Sequence, residues 1–297
     1  MLINELTLFC DKNYMSSCAG SCMRYNQCNH AVKCSGGCSN CLKEIHFPES
    51  DSDRCDYNCL KLINFYVCRY THKYASEMFY LLGKSRVLSG MKEYKILSLG
   101  CGGCSDLIAF DTFAVNKNLA YVGIEINRLW EHVHNFIHKY KGIKRKKFIK
   151  NFGYFDALDV MQINPQSNVL VLNYVLSSIH RSVPSKTMNF LRVLYAFMTN
   201  PNLSRPFVFL FNDVNNTFYG RNNFDRMICA VQNFYGERIS IQRFYFDYKN
   251  DDEGKVYRYG TKHIASGLLY ALPYKLRVSQ YGIREFCTSA QVLIEIF

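Results

Sequence analysis

One stretch constrains the fold of this chain more than any other: a short apolar run that ends in glycines and passes directly into a helical pattern. Tyr94 to Gly103 reads Tyr-Lys-Ile-Leu-Ser-Leu-Gly-Cys-Gly-Gly, and from Cys104 to Val115 the apolar residues Leu107, Ile108 and Phe110 recur at helical spacing. That is strand, glycine turn, helix. Glycine lets the backbone approach a ligand closely, and the amino end of a helix offers N–H groups with no partner inside the helix. A second apolar strand, Ala120 to Glu125, ends in a carboxylate 22 residues beyond Gly103. In dinucleotide-type folds an acid at this position holds a pair of ribose hydroxyls. The glycine turn alone is a weak signal. With Glu125 it points to a nucleotide-like ligand, against the plainer reading of Glu125 as a surface acid in a loop.

The pattern continues downstream. A third strand is predicted near Lys147 to Phe152 and a fourth over Asn168 to Leu176. A helix follows over Pro184 to Met198. The fifth strand, Pro206 to Phe211, is apolar throughout, as a strand buried on both faces should be. It leads into the polar cluster Asn212-Asp213-Val214-Asn215-Asn216, on the side of the sheet where open α/β folds bind ligands. Phe224 to Tyr235 reads as helix, Arg238 to Tyr248 alternates as a strand, and Gln291 to Phe297 gives a last strand. The stretch 250–282 is less regular and reads as an insertion.

These features resemble the class I S-adenosylmethionine (SAM) dependent methyltransferases over residues 92–297. The resemblance rests on Leu99-Gly100-Cys101-Gly102-Gly103 as glycine loop, Val122-Gly123-Ile124-Glu125 as acidic second strand, and Asn168 to Leu176 as the strand whose carboxyl end faces the transferred methyl group. It implies an α/β fold, a doubly wound and mostly parallel seven-stranded Rossmann-like sheet that finishes in an antiparallel hairpin. It also implies SAM as cofactor, held by Gly100, Cys101, Gly102, Gly103, Asp106, Glu125, Asp156, Ala157 and Asn173, with Asp156 near the adenine. Where the family usually has an acid two residues before the first glycine, this chain has Ser98. Asp106, in the first turn of the next helix, is the nearest acid to take that role.

The remaining expectations concern the acceptor side. Methyl transfer from a sulfonium is an in-line displacement whose main need is placement of the nucleophile, so no conspicuous acid–base pair is required. Asn173 and Tyr174 are the best residues to face the acceptor, with Asp213 third. The fourth strand lacks both the Pro-Pro-aromatic ending of amino-directed base methyltransferases and a Pro-Cys pair. His180 reads either as a base or as a bystander in a loop. The Cys101–Cys104 pair reads as packing in the glycine turn rather than metal or redox chemistry.

Cysteines organise the amino-terminal part. Of 14 in the chain, ten fall within the first 68 residues. Cys18 and Cys22, Cys34 and Cys38, and Cys55 and Cys59 are each four apart, and Cys38-Ser39-Asn40-Cys41 is a C-x-x-C. In a reducing compartment such density suits thiolates on a metal better than disulfides, with an iron–sulfur cluster as a further alternative. Cys18, Cys22, Cys28, Cys34, Cys38, Cys41, Cys55, Cys59 and Cys68 are enough to close about two four-ligand zinc sites, with His30 or His46 able to replace a thiolate. The division that follows is a zinc-binding module over 1–58, a linking helical segment over 59–90 with a helix from Cys59 to Leu82, and the sheet domain over 91–297.

The net charge of +12 favours a polyanionic partner. Lys139, Lys141, Lys144, Arg145, Lys146, Lys147 and Lys150 place seven cations in twelve residues without an acid. Lys144, Arg145, Lys146 and Lys147 are the candidate nucleic-acid contacts, RNA favoured over DNA, against the bland reading of a solvated helix end and loop. Met1 to Cys10 is a poor signal peptide and no apolar run approaches the ~20 residues of a membrane span, so a soluble cytoplasmic protein is the default. The leading function is a SAM-dependent methyltransferase acting on nucleic acid. Its rivals are a catalytically weak or inactive SAM-binding interaction protein and a methyltransferase of proteins or small molecules.

Overall fold

Alternation along the strands divides the apolar residues of the central sheet between two separate cores. In the computed structural model, which describes residues 1–16, 37–46, 57, 59–142, 145–150, 166–182, 184–216, 221–247 and 257–297, the sheet has eight strands. They are β1 (Glu93–Leu99), β2 (Asn118–Glu125), β3 (Arg145–Lys150), β4 (Val169–Asn173), β5 (Phe207–Val214), β6 (Ile239–Tyr245), β7 (Thr261–Lys262) and β8 (Ser289–Ile296), in the order β3-β2-β1-β4-β5-β8-β6-β7. β3, β2, β1, β4 and β5 are parallel. β8 lies antiparallel between β5 and β6, which is the antiparallel ending the sequence implied.

The expected count of seven strands is corrected to eight. The extra one, β7, is a two-residue pairing of Thr261 and Lys262 with Phe244 and Tyr245, too short to leave an alternation in the sequence. It lies in the stretch that reads as irregular. The third strand also starts earlier than expected, at Arg145. That places Arg145, Lys146 and Lys147 on an edge strand rather than in a helix end and loop. Lysine on an edge strand discourages pairing with another chain, a structural reason for a basic run here.

Ten helices are described: α1 (Leu2–Ser16), α2 (Cys38–His46), α3 (Leu60–Leu82), α4 (Arg86–Gly90), α5 (Ser105–Phe113), α6 (Glu131–Lys139), α7 (Leu176–Ser182), α8 (Pro184–Met198), α9 (Arg221–Tyr235) and α10 (Val278–Tyr281). One core joins Ile96, Val169, Val171, Val208 and Leu210 of the sheet to Leu6, Ile63, Met78, Leu107 and Val133 of α1, α3, α5 and α6. The other joins Leu97, Leu170, Leu172, Phe207, Phe209 and Phe211 to Leu176, Phe190, Leu194, Phe224 and Ile228 of α7, α8 and α9. Consecutive strand residues thus face opposite cores, which explains the unbroken apolar runs of β4 and β5. The helix read as a linking segment, α3, packs along α1 and α5 and is buried on nearly every side. No helix among the described residues is long and apolar enough to cross a membrane.

Strand order fixes where a ligand can sit. From β1 the chain steps outward through β2 to β3, then returns to the other side of β1 for β4 and β5. The two connections leave the sheet in opposite directions, so a crevice opens at the carboxyl ends of β1 and β4. The glycine turn follows β1, and Asn173-Tyr174 ends β4.

Candidate functional site

Gly100 at φ 65° and Gly102 at φ 43° occupy the left-handed region that glycine adopts without penalty, which is why the turn after β1 carries them. The Cys101 N–H donates to Ile124 O at 3.0 Å, drawing the turn over the end of β2. There the Gly102 N–H donates to Glu125 Oε2 and the Asn127 N–H to Oε1, both at 2.9 Å. Glu125 is 6% exposed, and burial raises its pKa against the pull of those two N–H groups. The glycine turn and the acid are therefore within one hydrogen bond of each other. A carboxylate oxygen accepts more than one donor, so Glu125 keeps capacity for a pair of hydroxyls.

The roof of the turn is aromatic and helical. Trp130, from the short turn Arg128–Trp130 before α6, lies against Gly102 and Gly103, where an added Cβ would meet its ring at 3.6 Å. Val67 of α3 closes on Gly103 in the same way, at 3.5 Å. Beside the turn, Ser98 and Asp106 belong to one buried group. The Tyr121 hydroxyl donates to Asp106 at 3.2 Å and the Ser98 side chain also bonds to it. Burial raises Asp106, and these partners pull against it. The acid of the first turn of α5 is thus held between β1 and β2 from within.

At the end of β4, α3 forms the opposite wall. Tyr174 sits at φ 59°, a left-handed conformation uncommon for a side chain of its size and of a kind that gathers at functional sites. Three contacts hold it there. Its N–H donates to Asn212 O at 2.7 Å, its hydroxyl donates to Glu77 Oε2 at 2.9 Å, and its ring stacks on Tyr74 with centroids 3.9 Å apart. Burial, then the Glu77 charge, raises its pKa well above the ordinary phenol value. Lys73 donates to the Tyr174 hydroxyl at 3.1 Å and pairs with Glu77 at 3.4 Å. Glu77 is fully buried and also accepts the N–H groups of Thr288 and Ser289, at 2.8 and 3.2 Å. Asn212 links this network to Asn173, whose Nδ2 reaches Ser105 Oγ at 3.0 Å at the start of α5.

Tyr66 and Tyr70 extend the ring contacts from Tyr74 back to Trp130, with successive centroids 5.3, 4.9 and 5.6 Å apart. A single aromatic wall therefore runs along α3 from the glycine turn to the end of β4. The signal for it is a tyrosine every fourth residue, Tyr66, Tyr70 and Tyr74, and an i,i+4 Lys73–Glu77 pair that holds the helix's one acid. The sequence analysis gives this segment only as a linking helix, with none of Lys73, Tyr74 or Glu77 in the site.

The structure brings Gly100, Cys101, Gly102, Gly103, Glu125, Asn173 and Tyr174 to this crevice. Asp213 has a different position: its carboxylate accepts Ser177 N at 3.0 Å and Val214 N at 2.7 Å, tying the start of α7 to the end of β5. His180 meets Thr187 of α8, Nδ1 to Oγ1 at 3.2 Å. Asp156, Ala157 and Lys144 lie outside the described residues, as do Cys18, Cys22, Cys28, Cys34 and Cys55. Of the other amino-terminal cysteines, Cys38 and Cys41 sit on α2 and Cys59 just before α3, while Cys68 is buried on α3 with its thiol 3.5 Å from Thr7 O of α1. In the basic run, Arg145 pairs with Glu93, and Lys146 donates to Ile137 O at 2.9 Å and to Tyr140 O at the end of α6. Lys139, Lys141 and Lys147 are exposed.

No family model matches this chain, and no curated protein matches its sequence. Among solved structures it is similar to the plantazolicin methyltransferase BpumL in complex with SAH, at 11% identity over 86% of this chain and 94% of that one, with a TM-score of 0.48. It is also similar to precorrin-6y C5,15-methyltransferase from Geobacter metallireducens, at 10% identity over 75% and 88% of the two chains and a TM-score of 0.41. Likeness at this level assigns neither cofactor nor substrate. Those follow from the crevice.

Proposed function

We propose that the protein is a SAM-dependent methyltransferase whose cofactor lies across the carboxyl ends of β1, β2 and β4. The observation that carries this reading is the pairing of the glycine turn with Glu125 at the point where strand order reverses. In this reading the ribose hydroxyls bond to Glu125 and the methionine part passes over the N–H groups of Gly100 to Gly103. The methyl carbon then faces Asn173 and Tyr174. Asn173, fixed between Ser105 and Asn212, orients the acceptor. The aromatic wall of α3 excludes water from a cationic sulfonium and attracts it through its ring faces.

Titration calorimetry with SAM and with SAH tests the cofactor. Binding in the micromolar range supports the reading, and no heat at high micromolar concentration removes it. The acceptor proposed is a nucleic acid, RNA before DNA, supported by the net charge of +12 and the exposed Lys139, Lys141 and Lys147. Arg145 and Lys146 are spent on internal partners, so the contact falls to those lysines. Their joint change to Ala should weaken RNA binding and flatten its salt dependence. The amino-terminal cysteines are proposed as structural zinc ligands, tested by metal analysis of the purified chain. A second reading, a SAM-binding protein without transferase activity, is favoured by one observation: the Lys73–Glu77–Tyr174 network fills the end of β4 with the chain's own groups. Single-turnover transfer of labelled methyl to bulk RNA separates the two.

A further inference from the structure

Beneath the glycine turn, on the side facing α6, three metal-ligating groups converge from two elements. Cys101 and Cys104 of the turn and His134 of α6 bring two Sγ atoms and one imidazole nitrogen within 4.8 Å of one another. Among the described residues no other group of three such side chains lies this close. We propose that Cys101, Cys104 and His134 form a zinc site that ties the glycine turn to α6, separate from any zinc bound by the amino-terminal cysteines.

The geometry is close to that of an occupied centre. Cys101 Sγ lies 3.8 Å from His134 Nε2. Zinc–sulfur and zinc–nitrogen bonds of about 2.3 and 2.0 Å at a tetrahedral angle put those two atoms about 3.5 Å apart. The His134 Nε2–H donates to Gly102 O at 2.8 Å. Zinc takes that nitrogen with the ring proton moved to Nδ1, which breaks this bond and frees the carbonyl, 3.7 Å from Cys104 Sγ, to move to the fourth corner. The spacing is C-x-x-C, which folds two thiolates onto one ion.

Several otherwise unrelated features of the sequence serve this cluster. Gly123 in the middle of β2 makes room for it, because a Cβ there would come 2.8 Å from Cys101 Sγ. Cys104 is held at φ 55°, an uncommon backbone conformation for a residue with a side chain, and its N–H closes the turn onto Cys101 O at 2.7 Å. The imidazole of His134 lies flat on Phe148 of β3, centroids 4.4 Å apart and planes 7° apart, which fixes its orientation. All three ligands are buried, at 7%, 0% and 1% exposure. Two thiolates neutralise one dication, so the loaded site carries no net charge into the interior, and the two displaced thiol protons leave to solvent. The exclusion of solvent makes the role structural: the ion would lock the Gly102 peptide whose N–H meets Glu125.

The test uses the full chain, purified under reducing conditions, stripped with a chelator and reloaded with Zn²⁺, or with Co²⁺ as a coloured probe. Cys101→Ala with Cys104→Ala should bind one equivalent fewer than the unmodified chain and lose part of the thiolate-to-cobalt absorption. Equal stoichiometry and an equal spectrum would overturn the site. Should that pair fail to fold, His134→Gln and His134→Cys decide. Gln must lose one equivalent and Cys must keep it with stronger thiolate absorption. Retention of the full complement by both, or a Cys101–Cys104 disulfide in the freshly purified chain, rejects the proposal. None of these readouts depends on cofactor binding, so the zinc site and the methyltransferase reading can fail separately.

Discussion

Replacing Glu125 by Gln removes one oxygen and the charge from the point where turn, strand end and proposed ribose meet. The carboxylate accepts two backbone N–H bonds, each at 2.9 Å, inside the protein. Hydrogen bonds to a charged acceptor contribute about 1.5–3 kcal/mol each. Gln keeps one acceptor oxygen and turns an NH₂ group toward the other N–H, so one of these bonds is lost and the other becomes a neutral one. The expected cost to folding is about 2–3 kcal/mol, read as a shift in the denaturant midpoint with unchanged slope. The cost to cofactor binding is separate. Of two ribose hydroxyl bonds, one is lost and one weakened, again about 1.5–3 kcal/mol, or roughly 10- to 100-fold in Kd. Calorimetric titration of SAH into folded Glu125→Gln measures this directly. An affinity within about threefold of the unmodified chain, below about 0.7 kcal/mol, would refute a ribose on Glu125.

Four further outcomes follow from the structure. His72 and His263 are buried, and burial holds each imidazole at about 4. Their pKa is depressed on folding, so stability is complete above the unfolded value of about 6.5 and falls as pH drops toward 4, by about 2 kcal/mol for each histidine at pH 5; a denaturant midpoint that stays level between pH 7.5 and 5 would contradict this. Glu77→Gln strands Lys73 in the interior and should destabilise by about 3 kcal/mol in chemical denaturation, whereas an unchanged midpoint would mean the network is not formed. Ser85 caps α4 by accepting Leu88 N at 3.0 Å and donates to buried Glu295 at 2.6 Å, so Ser85→Ala should cost about 1–2 kcal/mol, and no loss of melting temperature would count against the cap. Gly123→Ala forces a Cβ to 2.8 Å from Cys101 Sγ and 2.9 Å from the Tyr121 ring, and should lower stability by about 1–3 kcal/mol, with equal stability showing that the strand yields freely.

Much of the sheet was legible because its strands are apolar and end in marked residues. The glycine turn, Glu125 and the long β5 run fall within a few residues of their predicted places. The α3 reading, Cys59 to Leu82, lies one residue from the observed Leu60–Leu82. What the sequence did not disclose is what depends on distant partners. A tyrosine every fourth residue on α3 fits a packed stripe as well as a wall over a crevice, and only the approach of β4 distinguishes them. Asp213 looked like an acceptor contact because it follows a strand on the ligand side, yet helix capping uses the same residue type in the same place. The pair Cys101 and Cys104 read as packing because its third member, His134, lies 30 residues further along the chain. Arg145 and Lys146 read as free charge because Glu93 and the end of α6, which take them up, approach only in the fold.

A crystal structure of the chain with SAH bound speaks to the central claim without intermediaries. The expected density puts both sugar hydroxyls within hydrogen-bonding reach of the Glu125 carboxylate and the thioether sulfur opposite Asn173 and Tyr174. Ligand lodged elsewhere on the molecule, or a saturated crystal in which that carboxylate still meets only amides of its own chain, contradicts it.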